Sequence, residues 1–211
     1  MKVITVKQLL LRKFKTIDGL SDVWKNSVGL LQDPFVMIVW GQSAQGKSNF
    51  INAFLGELAK FFTILYVALE ESHSLSSQNL AKRHELAQLG IKYANHETSY
   101  DELVAYLSKR QRAKVIVIDS IQYLHIDYNE YKRLKTLFPK KIFIFISHAK
   151  GKTPDGKTAD KIRYDAGVKI RIEGFIAFIG SRYGGNKNYV IWEEGAKKYW
   201  GTKAFKKHLN R

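Results

Sequence analysis

Apolar runs of two kinds alternate along the chain from residue 35 to residue 147. Residues 35–40 form an unbroken apolar stretch between Pro34 and Gly41, and continuity without polar alternation predicts a strand buried on both faces. In the SNFINAFLGELAKFF that follows, Phe50, Ile51, Phe54, Leu55 and Leu58 recur at three- and four-residue intervals, which predicts a helix with one apolar stripe. The strand pattern returns at residues 63–70 (TILYVALE), 114–119 (KVIVID) and 141–147 (KIFIFIS). Residues 76–89, 100–110 and 130–137 predict helices, the second with Ser99 placed to cap it, and residues 91–94 predict a short strand. β-Branched runs alternating with helices predict an α/β fold with a parallel sheet covered on both faces.

The pattern changes after residue 147. Residues 150–161 read as a polar Gly/Lys/Thr loop. VKIRIEGFIAFIGSRYGGNKNYVIWEEG then reads as successive hairpin strands with turns at Glu173–Gly174 and near residues 184–188, so antiparallel strands extend the parallel sheet. Residues 1–33 carry no evident core element beyond a short helix within 6–14, and are expected to be an arm or linker. Residues 34–195 are expected to be one core and residues 196–211 a basic tail.

Composition narrows the class. A length of 211 residues suits one domain, and 45% hydrophobic with 26% charged residues is a globular balance, not a disordered one. The absence of cysteine excludes a disulfide framework and a thiolate metal site. Lys7, Arg12, Lys13 and Lys15 interrupt the first residues, so no signal peptide is expected, and no run approaches the ~20 apolar residues of a membrane span. A cytoplasmic location, in a bacterial or phage-infected cell, is the expectation. Charge adds most: 35 Lys and Arg against 19 acids give +16, a field that attracts polyanions, nucleic acid before a membrane surface. The tail concentrates it, with Lys197, Lys198, Lys203, Lys206, Lys207 and Arg211 and no acid after residue 195.

One motif states a chemistry outright. Gly41, Gln42, Ser43, Ala44, Gln45, Gly46, Lys47 and Ser48 match GxxxxGK[ST], with Asn49 opening the helix, between a buried strand and an amphipathic helix. The glycines let backbone amides turn toward phosphate oxygens, the helix start adds its positive dipole end, Lys47 reaches the β- and γ-phosphates and the Ser48 hydroxyl binds magnesium. Asp119 ends a buried strand at the edge where open parallel sheets bind ligands, which makes it the second magnesium ligand; in isolation such an aspartate is more often a turn residue or helix cap. Glu70 and Glu71 end the preceding strand, and either carboxylate suits the water that attacks the γ-phosphate, Glu70 first. His148 follows the next strand; it reads as a γ-phosphate sensor or as a satisfied polar group.

Together these residues resemble the RecA/RadA/DnaB group of ATPases. ILYVALEES resembles the Glu-Glu-Ser strand of the bacterial RadA type and supports Glu70 as the catalytic carboxylate. VIVIDSIQYL is similar to that family's Walker B strand. SHAK falls where the family has a histidine or glutamine that senses the γ-phosphate, which implies that role for His148. SRYGG is similar to the Lys-Asn-Arg-Phe-Gly motif, and the resemblance implies that Arg182 reaches a nucleotide bound by a neighbouring subunit in a ring or filament. Gly180 stands where the motif has lysine, so a two-residue finger does not carry over. The resemblance spans residues 35–194. The zinc finger and protease-like domain of RadA, and the N-terminal domain of DnaB, have no counterpart, which implies a bare motor core of the size of small phage or mobile-element ATPases.

The resemblance also implies a nucleic-acid path along the loops after the third and fourth strands, where Lys150, Lys152, Lys157 and Lys161 would neutralise phosphates. Gln122, Tyr123 and His125 lie on the first loop; Tyr123 reads as a base-stacking residue or a core tyrosine. No base-reading motif is present, so binding to DNA, single-stranded above all, is expected to be sequence-independent. The expectation is an ATP- and magnesium-dependent ATPase acting on DNA in recombination, replication or unwinding. The alternatives are a DNA-bound regulatory or loader ATPase that does not translocate and a small-molecule phosphotransferase, which would need an arginine-rich lid.

Overall fold

The apolar runs become parallel strands because each strand's two faces meet a separate core. A computed structural model describes residues 3–71, 74–110 and 113–209. Its strands are β1 (Val36–Gly41), β2 (Ile64–Ala68), β3 (Lys92–Ala94), β4 (Val115–Asp119), β5 (Ile142–Ser147), β6 (Ala149–Lys150), β7 (Thr153–Pro154), β8 (Val168–Glu173), β9 (Ile176–Ser181) and β10 (Tyr189–Val190). All but β6 and β7 join one eight-stranded sheet in the order β10-β9-β8-β1-β5-β4-β2-β3. Strands β1, β2, β3, β4, β5 and β8 run parallel, while β9 and β10 add antiparallel at one edge.

Side-chain alternation divides the core. Met37, Val39, Tyr66, Val117 and Ile144 face one side, where they meet Phe50, Phe54 and Leu58 of α3 (Lys47–Leu58). Ile38, Trp40, Val67, Ile116, Ile118, Phe143 and Phe145 face the other, against α5 (Tyr100–Ser108), α7 (Tyr128–Leu137) and α8 (Lys157–Asp165). A period of two therefore feeds both cores from one run. Ser99 caps α5 in a capping box with Glu102, as its position predicts.

Four stretches depart from expectation. Residues 17–33 are not peripheral: α1 (Val6–Leu10) is exposed, but Ile17, Leu20, Leu31 and, on α2 (Asp22–Val28), Trp24 and Val28 are buried in the α3-side core. Their apolar positions are too sparse to reveal a stripe. The helix expected over 76–89 is α4 (Leu75–Arg83) and a 3-10 turn (Leu86–Leu89), broken where Glu85 adopts a left-handed φ of 51°. The expected loop at 150–161 is the β6–β7 hairpin followed by α8, whose Ala159 and Ile162 are buried three residues apart under a polar composition. The expected basic tail is α9 (Glu193–Trp200) and α10 (Thr202–Leu209), held by buried Ala196 and Phe205 against Ile176 of β9; Arg211 lies outside the described residues. Among the described residues no helix is long and apolar enough to cross a membrane.

Candidate functional site

Strand β1 delivers Gly41 to the carboxyl edge of the sheet, where the chain turns into α3. A Cβ on Gly41 would meet the Ile172 carbonyl oxygen at 2.5 Å, so close packing on β8 demands glycine there. Gly46 caps α3 at φ +95°, a conformation glycine adopts without penalty. The first amides of α3, at Lys47, Ser48 and Asn49, have no partner within the helix, and with the dipole they make an anion-binding end. Lys47 Nζ donates to the carbonyls of Gly41 (2.9 Å) and Gln42 (3.0 Å), folding over the loop. Burial lowers its pKa, against the raising effect of Glu70 and Asp119.

Two side chains of the motif fasten the loop. Gln45 accepts from the Gly174 amide at the β8–β9 turn (2.5 Å), and Gln42 donates to the Ala149 carbonyl of β6 (3.0 Å). Asn49 accepts from Arg83 of α4 (3.2 Å).

Asp119 lies at the end of β4 on the same cleft as Ser48. Burial pushes its carboxyl up to about 6; the hydrogen bond from Tyr66 and the charge of Lys47 oppose that, and Glu70 adds to it. The Tyr66 hydroxyl, buried within β2 and itself pushed well above the ordinary range by burial and Asp119, donates to Asp119 Oδ2. Two hard oxygen side chains beside a phosphate cradle fit magnesium, which keeps most of its shell as water and phosphate oxygens; the described residues hold no cluster of three or more His, Cys, Asp or Glu for another metal.

The amides of Leu69 and Glu70 donate to the Asp119 carbonyl (2.6 and 3.0 Å), extending the β2–β4 pairing to the cleft. Glu70 Oε2 then sits 2.9 Å from His148 Nε2, a pair at the cleft rim joining the ends of β2 and β5. Glu71 lines the same cleft, its Oε2 accepting from Ser76 Oγ at 2.5 Å. Of the two neighbouring carboxylates, the fold couples Glu70 to the histidine.

Behind His148 runs a polar tie. Gln122, on α6 (Ile121–Leu124), donates to Ser147 Oγ and to the Asp155 carbonyl, both at 2.8 Å, and its Oε1 lies 3.4 Å from the His148 amide. Gln122, expected on the nucleic-acid path, is thus committed within the protein. Tyr123 is exposed rather than a core residue and meets the His148 ring edge-on at 6.0 Å. Lys150 and Lys152 lie on the β6–β7 hairpin and Lys157 and Lys161 on α8, all exposed; Lys161 Nζ stands 5.3 Å over the Tyr128 ring. The four lysines therefore sit on a hairpin and a helix, not on one irregular loop.

Arg182 is remote from this cleft. It follows β9 at the amino edge of the parallel strands, its amide bonded to Gly167 and its guanidinium to the Tyr164 carbonyl (2.9 Å). The register from Val168 to Ile172 separates the two edges by roughly 13 Å of strand. The cleft, 390 Å³ in volume, is also lined by Tyr66, Tyr93, Ser76 and Phe175, none of which the sequence singled out. Tyr66 and Tyr93, stacked at 5.0 Å, lie inside strand runs where an aromatic is an ordinary core residue, so no local signal marks them.

No protein-family model matches the sequence, and no curated protein does. Solved structures do. The flagellar accessory protein FlaH of Methanocaldococcus jannaschii is similar at a TM-score of 0.57 with 20% identity, over 84% of this chain and 94% of that one. The KaiC-like protein PH0186 of Pyrococcus horikoshii is similar at a TM-score of 0.60 with 17% identity, over the same shares. At these identities the likeness is one of fold.

Proposed function

From a RecA-like P-loop fold, which the sheet order and these likenesses show, we propose that the chain binds ATP with magnesium, hydrolyses it, and acts on DNA. The observation that carries the proposal is the convergence on one cleft of Lys47, Ser48 and Asp119, with the Glu70–His148 pair at its rim.

Lys47 exchanges the two loop carbonyls for β- and γ-phosphate oxygens, and the amides of the loop and of the first turn of α3 cradle them. Ser48 and Asp119 would hold magnesium, which when bound neutralises charge on the phosphates. Glu70 orients the attacking water and takes its proton; a bond forms from the water oxygen to the γ-phosphorus and the bond to the bridging oxygen breaks, leaving ADP and phosphate. His148 reports the γ-phosphate: its present bond to Glu70 and the Gln122 tie to Asp155 supply a route from cleft to hairpin. Arg182, too distant for its own cleft, acts on that of a neighbour, so turnover depends on assembly into a homo-oligomeric ring or filament. Lys150, Lys152, Lys157 and Lys161 meet the phosphates of single-stranded DNA.

A second reading, a regulatory ATPase that changes state without translocating, is favoured by the Glu70–His148 contact, which suits a switch as well as a motor, and by the likeness to a flagellar accessory protein. The test is ATP hydrolysis with and without single-stranded DNA at two salt concentrations, beside Lys47→Ala. The leading reading expects DNA-stimulated turnover that falls with salt and no turnover in the variant. Turnover indifferent to DNA removes the DNA role, and an active Lys47→Ala removes the proposed site.

A further inference from the structure

The turn joining β8 to β9 is built from Gly174 at φ +53° and Phe175 at φ +60°. Two successive left-handed residues make the hairpin turn that asparagine and glycine favour, and a bulky side chain there is strained. Three bonds hold the turn in place: Gln45 of the phosphate loop to the Gly174 amide (2.5 Å), Trp200 Nε1 to the Gly174 carbonyl (3.1 Å), and the Ile191 amide to the Phe175 carbonyl (2.9 Å). The strained ring does not point to empty solvent. It lines the cleft and packs beside the phosphate loop, where a Cβ on Gly46 would come 3.6 Å from its Cδ1. Trp192 backs it edge-on, with centroids 5.0 Å apart. A strained residue held in place by its surroundings points to use rather than to accident.

Sheet order supplies the ligand. Glu70 and Asp119, at the ends of β2 and β4, lie on one side of β1, and the β8–β9 turn lies on the other. A triphosphate whose γ-end faces Glu70 and Asp119 therefore extends its nucleoside end toward Phe175. We propose that Phe175, backed by Trp192, is the platform on which the purine base of the bound nucleotide stacks. This rests on the nucleotide-binding reading above and adds where the base is held and by what force. Stacking uses a ring face that adenine and guanine share, so this contact gives affinity more than discrimination between them.

Replacing Phe175 with asparagine would suit the turn while removing the ring, because asparagine tolerates the left-handed region. Calorimetric titration should compare wild type, Phe175→Asn and Phe175→Trp, each with a non-hydrolysable ATP analogue and with inorganic tripolyphosphate, both with magnesium. The expected result is an analogue affinity about 10- to 100-fold weaker in Phe175→Asn, the size of one base-aromatic stack. Tripolyphosphate affinity should stay level, and Phe175→Trp should keep the wild-type preference for the analogue. Unchanged analogue binding in Phe175→Asn overturns the platform, and so does an equal loss for both ligands. Wild type binding neither ligand overturns the nucleotide-binding reading itself, and the platform with it.

Discussion

Trp24 decides where the folded unit begins. It lies on α2, in the stretch whose sequence reads as an arm, yet it is 5% exposed. Its ring stacks on Tyr189 at 4.7 Å and meets Phe54 at 4.9 Å and Phe50 at 5.7 Å. Phe50 and Phe54 belong to α3, the helix that opens with Lys47 and Ser48, so Trp24 braces that helix against β10. Trp24→Ala removes a large ring from a site walled by three others. Burial of its area and the cavity left behind put the loss at about 3–5 kcal/mol. For a chain of this length each kcal/mol lowers the midpoint by roughly 2–4 °C, so thermal unfolding should shift down by about 6–20 °C. Circular dichroism melts with a matching urea titration measure both numbers. A loss under about 1 kcal/mol would mean that residues 17–33 are dispensable packing and that the N-terminal stretch is an arm after all.

Three further outcomes test the site and its surroundings. Arg182→Ala should leave nucleotide affinity of the monomer unchanged and lower turnover at concentrations where the protein assembles; equal loss of both, by titration and steady-state kinetics, would deny the trans role. Replacing Lys150, Lys152, Lys157 and Lys161 together with alanine should weaken binding to single-stranded DNA and flatten its salt dependence by up to about 3 in log–log slope, at about 0.7 per phosphate contact; an unchanged slope in fluorescence anisotropy would free these lysines of that role. Burial works to raise the pKa of Asp165, but hydrogen bonds from Lys135 and Tyr131 prevail and hold it below the usual carboxylate value. A depressed carboxylate stabilises the fold above its unfolded pKa, about 3.9, and loses that contribution as pH falls toward its folded value. The stability gap between wild type and Asp165→Asn should therefore narrow below about pH 4 in melts from pH 6 to pH 3, and a constant gap would contradict the assignment.

Local order along the chain was enough for the sheet and the phosphate loop. Short β-branched apolar runs such as residues 114–119 read as strands buried on two faces, and a glycine-rich turn between such a strand and a striped helix suits a phosphate, because backbone, helix dipole and lysine act within eight consecutive residues. The placement of Asp119 followed from the same rule, since parallel strands end on one edge. What lay beyond local pattern needed partners distant in sequence. Trp24, Ala159 and Phe205 are buried only because α3, β1 and β9 arrive beside them, and helices of seven to nine residues with two or three apolar positions are too short to show a stripe. Glu70 comes before Glu71 on sequence grounds alone, but its pairing with His148 exists only once β5 brings that histidine from 78 residues away. Tyr66 and Phe175 are ordinary aromatics in the sequence; only the closing of the sheet set one against Asp119 and the other against the phosphate loop. A motif whose atoms are neighbours along the backbone is legible in one dimension, whereas a site assembled from strand ends and a hairpin turn exists only once long-range pairing has set them side by side.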